Sequence, residues 1–165
     1  MNFAYSTSAW ANFFVAEVGA SAALVGLLFV AVSINLTKII EYPSLPGRAF
    51  EALIVLVVVL FSATFGLVPG QSTAALGVEV VITAAVGWAT TILIQLAARR
   101  EANAPRSWMV SRVAATQVAT VPMIVAGVSL LFERGGGLYW MVAATIGSFL
   151  AALVDAWVLL VEIQR

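Results

Sequence analysis

Five ionisable residues fall inside otherwise apolar stretches of this chain, at Glu17, Glu51, Glu79, Arg112 and Asp155. A charge in hydrocarbon costs on the order of 2.5 to 3.5 kcal/mol at mid-bilayer, so each requires a partner, water or an interface. Glu17 and Glu79 are expected at one depth, near the outer boundary of the first and third apolar runs, with no basic residue at that level. Two carboxylates so placed can bind a cation or share a proton, because neighbouring like charges raise one pKa. The alternative is that both acids sit close enough to the outer interface to stay hydrated or protonated. Helical spacing extends both acids into stripes: Glu17, Ser21, Leu24, Leu28, Ala31 and Asn35 on one helix, and Glu79, Thr83, Val86 and Thr90 on another. On the opposite side of the membrane, Glu51, Arg112 and Asp155 match in depth. An Arg112 to Asp155 or Arg112 to Glu51 ion pair would satisfy charges that are otherwise buried, a structural role favoured over an ion gate.

The elements that must position these groups follow from composition. Of 165 residues, 62% are hydrophobic and 10% charged, against about 25% charged in an ordinary soluble domain. The mean hydropathy is +1.06. Backbone groups cannot stay unpaired in hydrocarbon, so an apolar run of about 20 residues is read as a membrane-crossing helix. Five such runs occur, at about 12–37, 50–68, 74–98, 109–132 and 138–163. Tyr42-Pro43, Leu45-Pro46-Gly47, Pro69-Gly70, Pro105 and Gly135-Gly136-Gly137 separate them. The expected fold is an all-α, polytopic transmembrane bundle of about five helices, one membrane domain over 1–165.

Basic residues set the expected orientation, because Lys and Arg are retained in the cytoplasm. Lys38, Arg48, Arg99, Arg100, Arg106 and Arg165 lie at one end of the bundle and Arg134 alone at the other, which places the N-terminus outside and the C-terminus in the cytoplasm. Trp10, Trp108, Tyr139 and Trp140 sit at the expected span ends, as an interfacial aromatic belt requires. The opening MNFAYSTSAWANFF has no Lys or Arg and no cleavage site stands out, so Met1 is read as the mature start.

Further features concern packing. Gly19, Ala22, Ala23, Gly26 and Val30 lie opposite Glu17 on the first helix, a small-residue stripe that permits close helix approach. Packing within the chain is the ordinary use of such a stripe, and an interface between copies is the alternative. Pro122 interrupts the fourth run near its middle, with Gln117 and Thr120 close by. The aliphatic run from Leu53 to Leu60 suggests a lipid-facing second helix.

With no cysteine and no histidine, disulfides, thiolate metal sites, imidazole-ligated haem and His-based nucleophile activation are excluded, and neither cofactor nor metal is expected. A net charge of zero with scattered basic groups argues against nucleic acid. Aspartyl chemistry would need Glu17 with Glu79 and lacks a supporting motif, so a non-enzyme is expected.

The segments AEVGASAALVGLLFVAVSINLTKI, PSLPGRAFEAL and LVPGQ resemble a family of small bacterial inner-membrane proteins, some labelled modulators of the FtsH protease. The resemblance spans roughly the first half of the chain and implies a bacterial cytoplasmic-membrane address, with no catalytic residues to carry over. Two functions are weighed. One is a subunit of a symmetric homo-oligomer that forms a cation or proton pathway, with Glu17, Ser21, Asn35, Glu79 and Thr83 as candidate lining. The other is a regulatory or assembly partner of another membrane protein, such as a membrane protease.

Overall fold

The computed structural model describes residues 3–42, 44–101 and 106–160. After two 3-10 turns come six α-helices: α1 (Ala11–Ile34), α2 (Leu36–Glu41), α3 (Ser44–Gly66), α4 (Thr73–Glu101), α5 (Arg106–Phe132) and α6 (Tyr139–Leu160). No strand occurs among the described residues. Five helices, all but the short α2, are long and apolar enough to cross a membrane, as an all-α transmembrane bundle requires. The chain is therefore a multi-pass integral membrane protein.

Two helix boundaries differ from expectation in ways that matter. The first helix breaks at Asn35, whose backbone leaves helical geometry (φ −104°, ψ 13°) and whose side-chain amide donates to the Ala31 carbonyl at 3.2 Å. Asn offers the backbone such local alternatives to the regular helix. The second span begins at Ser44, not near residue 50, and so takes in Pro46 and Gly47. Proline is tolerated there because the first-turn amides have no partner inside the helix. This shift makes Arg48 helical and sets it three residues, about one turn, before Glu51 on the same face. The breaks expected at Pro43 and Pro105, and residues 161–165 with Glu162 and Arg165, lie outside the described residues.

α3 is the centre of the bundle, packed by α1, α4 and α6 and touched by α5. Half of its most apolar stretch is buried, against 17% for α1, which is peripheral and docks on α3 and α6. The lipid-facing second helix expected from its aliphatic run is thus corrected. An all-round apolar helix suits lipid and protein neighbours equally, so composition cannot choose between them. α4 packs chiefly on α5, and α5 on α6.

Small residues set these approaches. A Cβ on Gly127 of α5 would come within 2.8 Å of the Val81 nitrogen and 2.9 Å of the Gly77 carbonyl on α4, so two backbones meet there. Gly147 of α6 lies against the Val118 carbonyl of α5, where a Cβ would be 2.6 Å from the oxygen. That carbonyl is the one to which Pro122, lacking an N–H, cannot donate. Glycine thus lets α6 close on the turn that Pro122 leaves without its hydrogen bond. Gly19 and Gly26, by contrast, are exposed and have nothing within 4 Å, and Ala22 and Ala23 are exposed with them. The small-residue stripe of α1 does not pack within the chain, which corrects the expectation of intramolecular packing. The buried positions of α1 are Phe14, Ser21, Leu28 and Ala31, the opposite face.

At the end away from the basic residues, the N-terminal segment covers the α5–α6 turn. The Leu138 amide donates to the Ala4 carbonyl at 2.8 Å, and Trp10 meets Tyr139 edge to face with ring centroids 4.9 Å apart.

Candidate functional site

The densest group of charged side chains lies among α3, α5 and α6 at the basic end of the bundle. Arg112 of α5 donates twice to Glu51 of α3, from Nε to Oε2 at 2.9 Å and from Nη2 to Oε1 at 2.7 Å. This bidentate geometry is the strong form of an arginine–carboxylate pair. Both side chains are buried, at 7% and 4% exposure, so the pair is withdrawn from solvent screening. One turn earlier on α3, Arg48 donates from Nε to Asp155 Oδ1 of α6 at 2.5 Å. Of the two pairings expected for Arg112, the structure has the one with Glu51. Asp155 takes Arg48, a residue expected in the loop before the second span.

A hydrogen-bonded ladder leads from this group into the bundle. Gln95 of α4 donates from Nε2 to Thr116 Oγ1 at 2.7 Å and to Glu51 Oε2 at 3.3 Å. Thr116 donates to the Arg112 carbonyl at 3.2 Å, and Thr120 to the Thr116 carbonyl at 2.8 Å. Arg112, Thr116 and Thr120 recur every four residues, all buried, which puts one polar stripe of α5 toward the core. Gln95 and Thr116 escaped the sequence reading. Their signal was this four-residue recurrence from Arg112, together with a lone amide inside a span. Beside the ladder, Trp88 of α4 donates its indole N–H to Gln117 Oε1 at 3.0 Å. A cleft of about 300 Å³ opens beside the two ion pairs, lined by Arg48, Glu51, Arg112, Thr116, Gly147 and Asp155 among others.

Toward the other end, Glu17 of α1 is half-buried and turned to α6, where its carboxyl group lies beside the Thr145 side chain. Its second oxygen, Oε2, is buried and has no partner among the described residues. Ser21 is fully buried and donates to the Glu17 carbonyl. On α3, Ser62 is also fully buried with no partner for its hydroxyl among the described residues. Phe14 packs on Gly66, so the antiparallel α1 and α3 carry Glu17 and Ser62 to about the same level, one turn further toward the basic end. Ser148, one turn beyond Thr145, is buried as well. Asn35 lies buried at the α1–α2 break.

Glu17 and Glu79 are not brought together. Glu79 accepts a hydrogen bond from Gln71 at the α3–α4 turn, and α4 packs on α5 and α3, away from the α1–α6 contact. Thr83, with Val86 and Thr90, borders a shallow apolar groove between α3 and α4. The α4 stripe therefore faces outward, and the α1 stripe faces the chain's own bundle. Among the described residues, no group of three or more acidic side chains could hold a metal ion. No protein family, curated protein or solved structure matches this chain.

Proposed function

We propose that this integral membrane protein moves protons, or a small cation, along a polar seam inside its own bundle. The single supporting observation is the disposition of its acids. Glu17 at one end lies beside Thr145 on α6, with buried Ser148 one turn on, and Glu51 at the other is joined through Gln95 to Thr116 on α5, with buried Thr120 one turn on. Hydroxyls one helical turn apart both donate and accept, as a proton relay requires, and intramembrane acids and bases are the usual stations of such a path. In this reading Glu17 takes up the proton and the Glu51–Arg112 pair, held by Gln95, receives it at the basic end. A pathway around an axis of copies would instead need Glu17 and Ser21 on a free surface. Copies that packed through the bare Gly19–Gly26 face would keep one seam per chain. The activity is non-enzymatic, and the setting is a bacterial cytoplasmic membrane with the basic end inside.

The test is proton flux into vesicles carrying an internal pH-sensitive dye under an imposed potential. Protein-containing vesicles should acidify faster than protein-free ones, and Glu17→Gln should slow them at least tenfold. Unchanged flux in that variant would sink the proposal.

One observation favours a second reading, a regulatory or assembly partner of another membrane protein such as a membrane protease. The exposed Gly19, Ala22, Ala23 and Gly26 have no occupant in the chain, and such a stripe suits a partner helix. Gly19→Leu with Gly26→Leu should then release the partner while Glu17→Gln retains it. Retention in the glycine double variant counts against this reading.

A further inference from the structure

The cleft beside the two ion pairs reaches the surface of the bundle. Its floor is buried: Glu51, Arg112 and Thr116 are 3%, 8% and 5% exposed. Its rim is formed by outward faces of α5 and α6, where Val118, Leu150 and Val154 are 59%, 60% and 59% exposed. These belong to membrane spans, so the mouth faces lipid. The charges lie close to the ends of their spans. Arg48 is three residues past the Leu45 start of its span, Arg112 follows the basic Arg106 by six residues, and Asp155 is held at their level by its bond to Arg48. Val118 is six residues deeper than Arg112, about 9 Å at 1.5 Å per residue. One groove thus presents mixed charge at headgroup depth and an apolar wall running toward mid-membrane. Gly147 has no side chain to obstruct that wall.

We propose that this groove binds one zwitterionic phospholipid of the ethanolamine class, independently of any proton transfer, with its headgroup at the ion pairs and one acyl chain along α5 and α6. The charges select the class. Arg48 and Arg112 offset Glu51 and Asp155, so the floor has no net charge and carries both signs. A phosphate matches the guanidinium groups, and a primary ammonium gives three N–H donors to the carboxylates. A choline head has no N–H to donate. An anionic glycerol head brings unbalanced negative charge beside two carboxylates. The volume, about 300 Å³, is at the low end for small-ligand sites and takes a headgroup with the start of one chain, leaving the rest on the exposed wall.

The experiment is native mass spectrometry of the full chain released from vesicles of equal phosphatidylethanolamine, phosphatidylglycerol and phosphatidylcholine. One retained phosphatidylethanolamine, at least fivefold over either other lipid, is expected. Equal retention of the three, preference for the anionic lipid, or no retained lipid overturns the proposal. Ala115→Trp fills the groove from an exposed position. It should cut retention at least fivefold, and unchanged retention refutes the site. Asp155→Asn removes one carboxylate and leaves the floor net positive, so preference should move toward phosphatidylglycerol. An unmoved ratio contradicts the charge argument. Glu17→Gln should alter neither readout, so this proposal and the proton reading can fail separately.

Discussion

Removing one partner of the Glu51–Arg112 pair should destabilise the bundle more than removing both. Each side chain is less than a tenth exposed, and two bonds of 2.7 and 2.9 Å join them. Breaking a buried pair from one side costs about 3 to 5 kcal/mol, because the remaining charge keeps its desolvation penalty without its attraction. The two single variants are not equivalent. In Arg112→Leu, the orphaned Glu51 keeps the Gln95 amide at 3.3 Å and can escape by binding a proton, which puts the cost near the low end, about 3 kcal/mol. In Glu51→Leu the guanidinium cannot discharge itself, so the cost approaches about 5 kcal/mol. Replacing both with apolar side chains of similar volume removes the desolvation penalty with the attraction. The double variant, Glu51→Leu with Arg112→Met, should lie within about 1 kcal/mol of the parent. Reversible unfolding in mixed micelles, read by circular dichroism across the four proteins, gives the coupling energy. A double variant as unstable as the worse single one would refute the reasoning, since the pair would then act through packing and not through charge.

Other perturbations separate the two classes of glycine and fix orientation. Gly127→Ala sets a Cβ against the α4 backbone and should cost about 1 to 3 kcal/mol in the same unfolding assay, because backbone cannot rotate away. Gly19→Ala, with nothing within 4 Å, should gain about 0.5 to 1 kcal/mol from helix propensity, and a loss would mean that this face is already occupied by another helix. The absence of cysteine permits single-cysteine labelling without background. Ser72→Cys should react with an impermeant maleimide from outside intact cells, and Arg99→Cys only after lysis; the reverse pattern overturns the orientation drawn from the basic residues. Thr116→Val removes the acceptor for Gln95 and should slow vesicle acidification, whereas unchanged flux would exclude Thr116 from the path.

The number and rough extent of the spans were legible in the sequence. Each is a local property, an unbroken apolar run long enough to satisfy its own backbone in hydrocarbon. Errors occurred where local chemistry was ambiguous. Pro46 reads equally as a loop residue or as part of a first helical turn, and choosing the loop removed Arg48 from the helix that points it at Asp155. Ion-pair partners were narrowed by depth but not assigned, because depth is set by position along each helix and choice of partner by how the helices are arranged around one another.

The acids, the inward polar stripe of α1 and its small opposite face were set by residue spacing, since a helix fixes which side chains share a face. Tertiary structure decided which face meets protein. It turned Glu17 to Thr145 and left Gly19 and Gly26 bare. It also placed the aliphatic α3 at the centre and paired Glu79 with Gln71. In water, hydrophobicity marks the buried side of a helix. In a bilayer, lipid and protein interior are equally apolar, so close approaches such as Gly127 on Gly77 and the pairing of buried charges determine the arrangement.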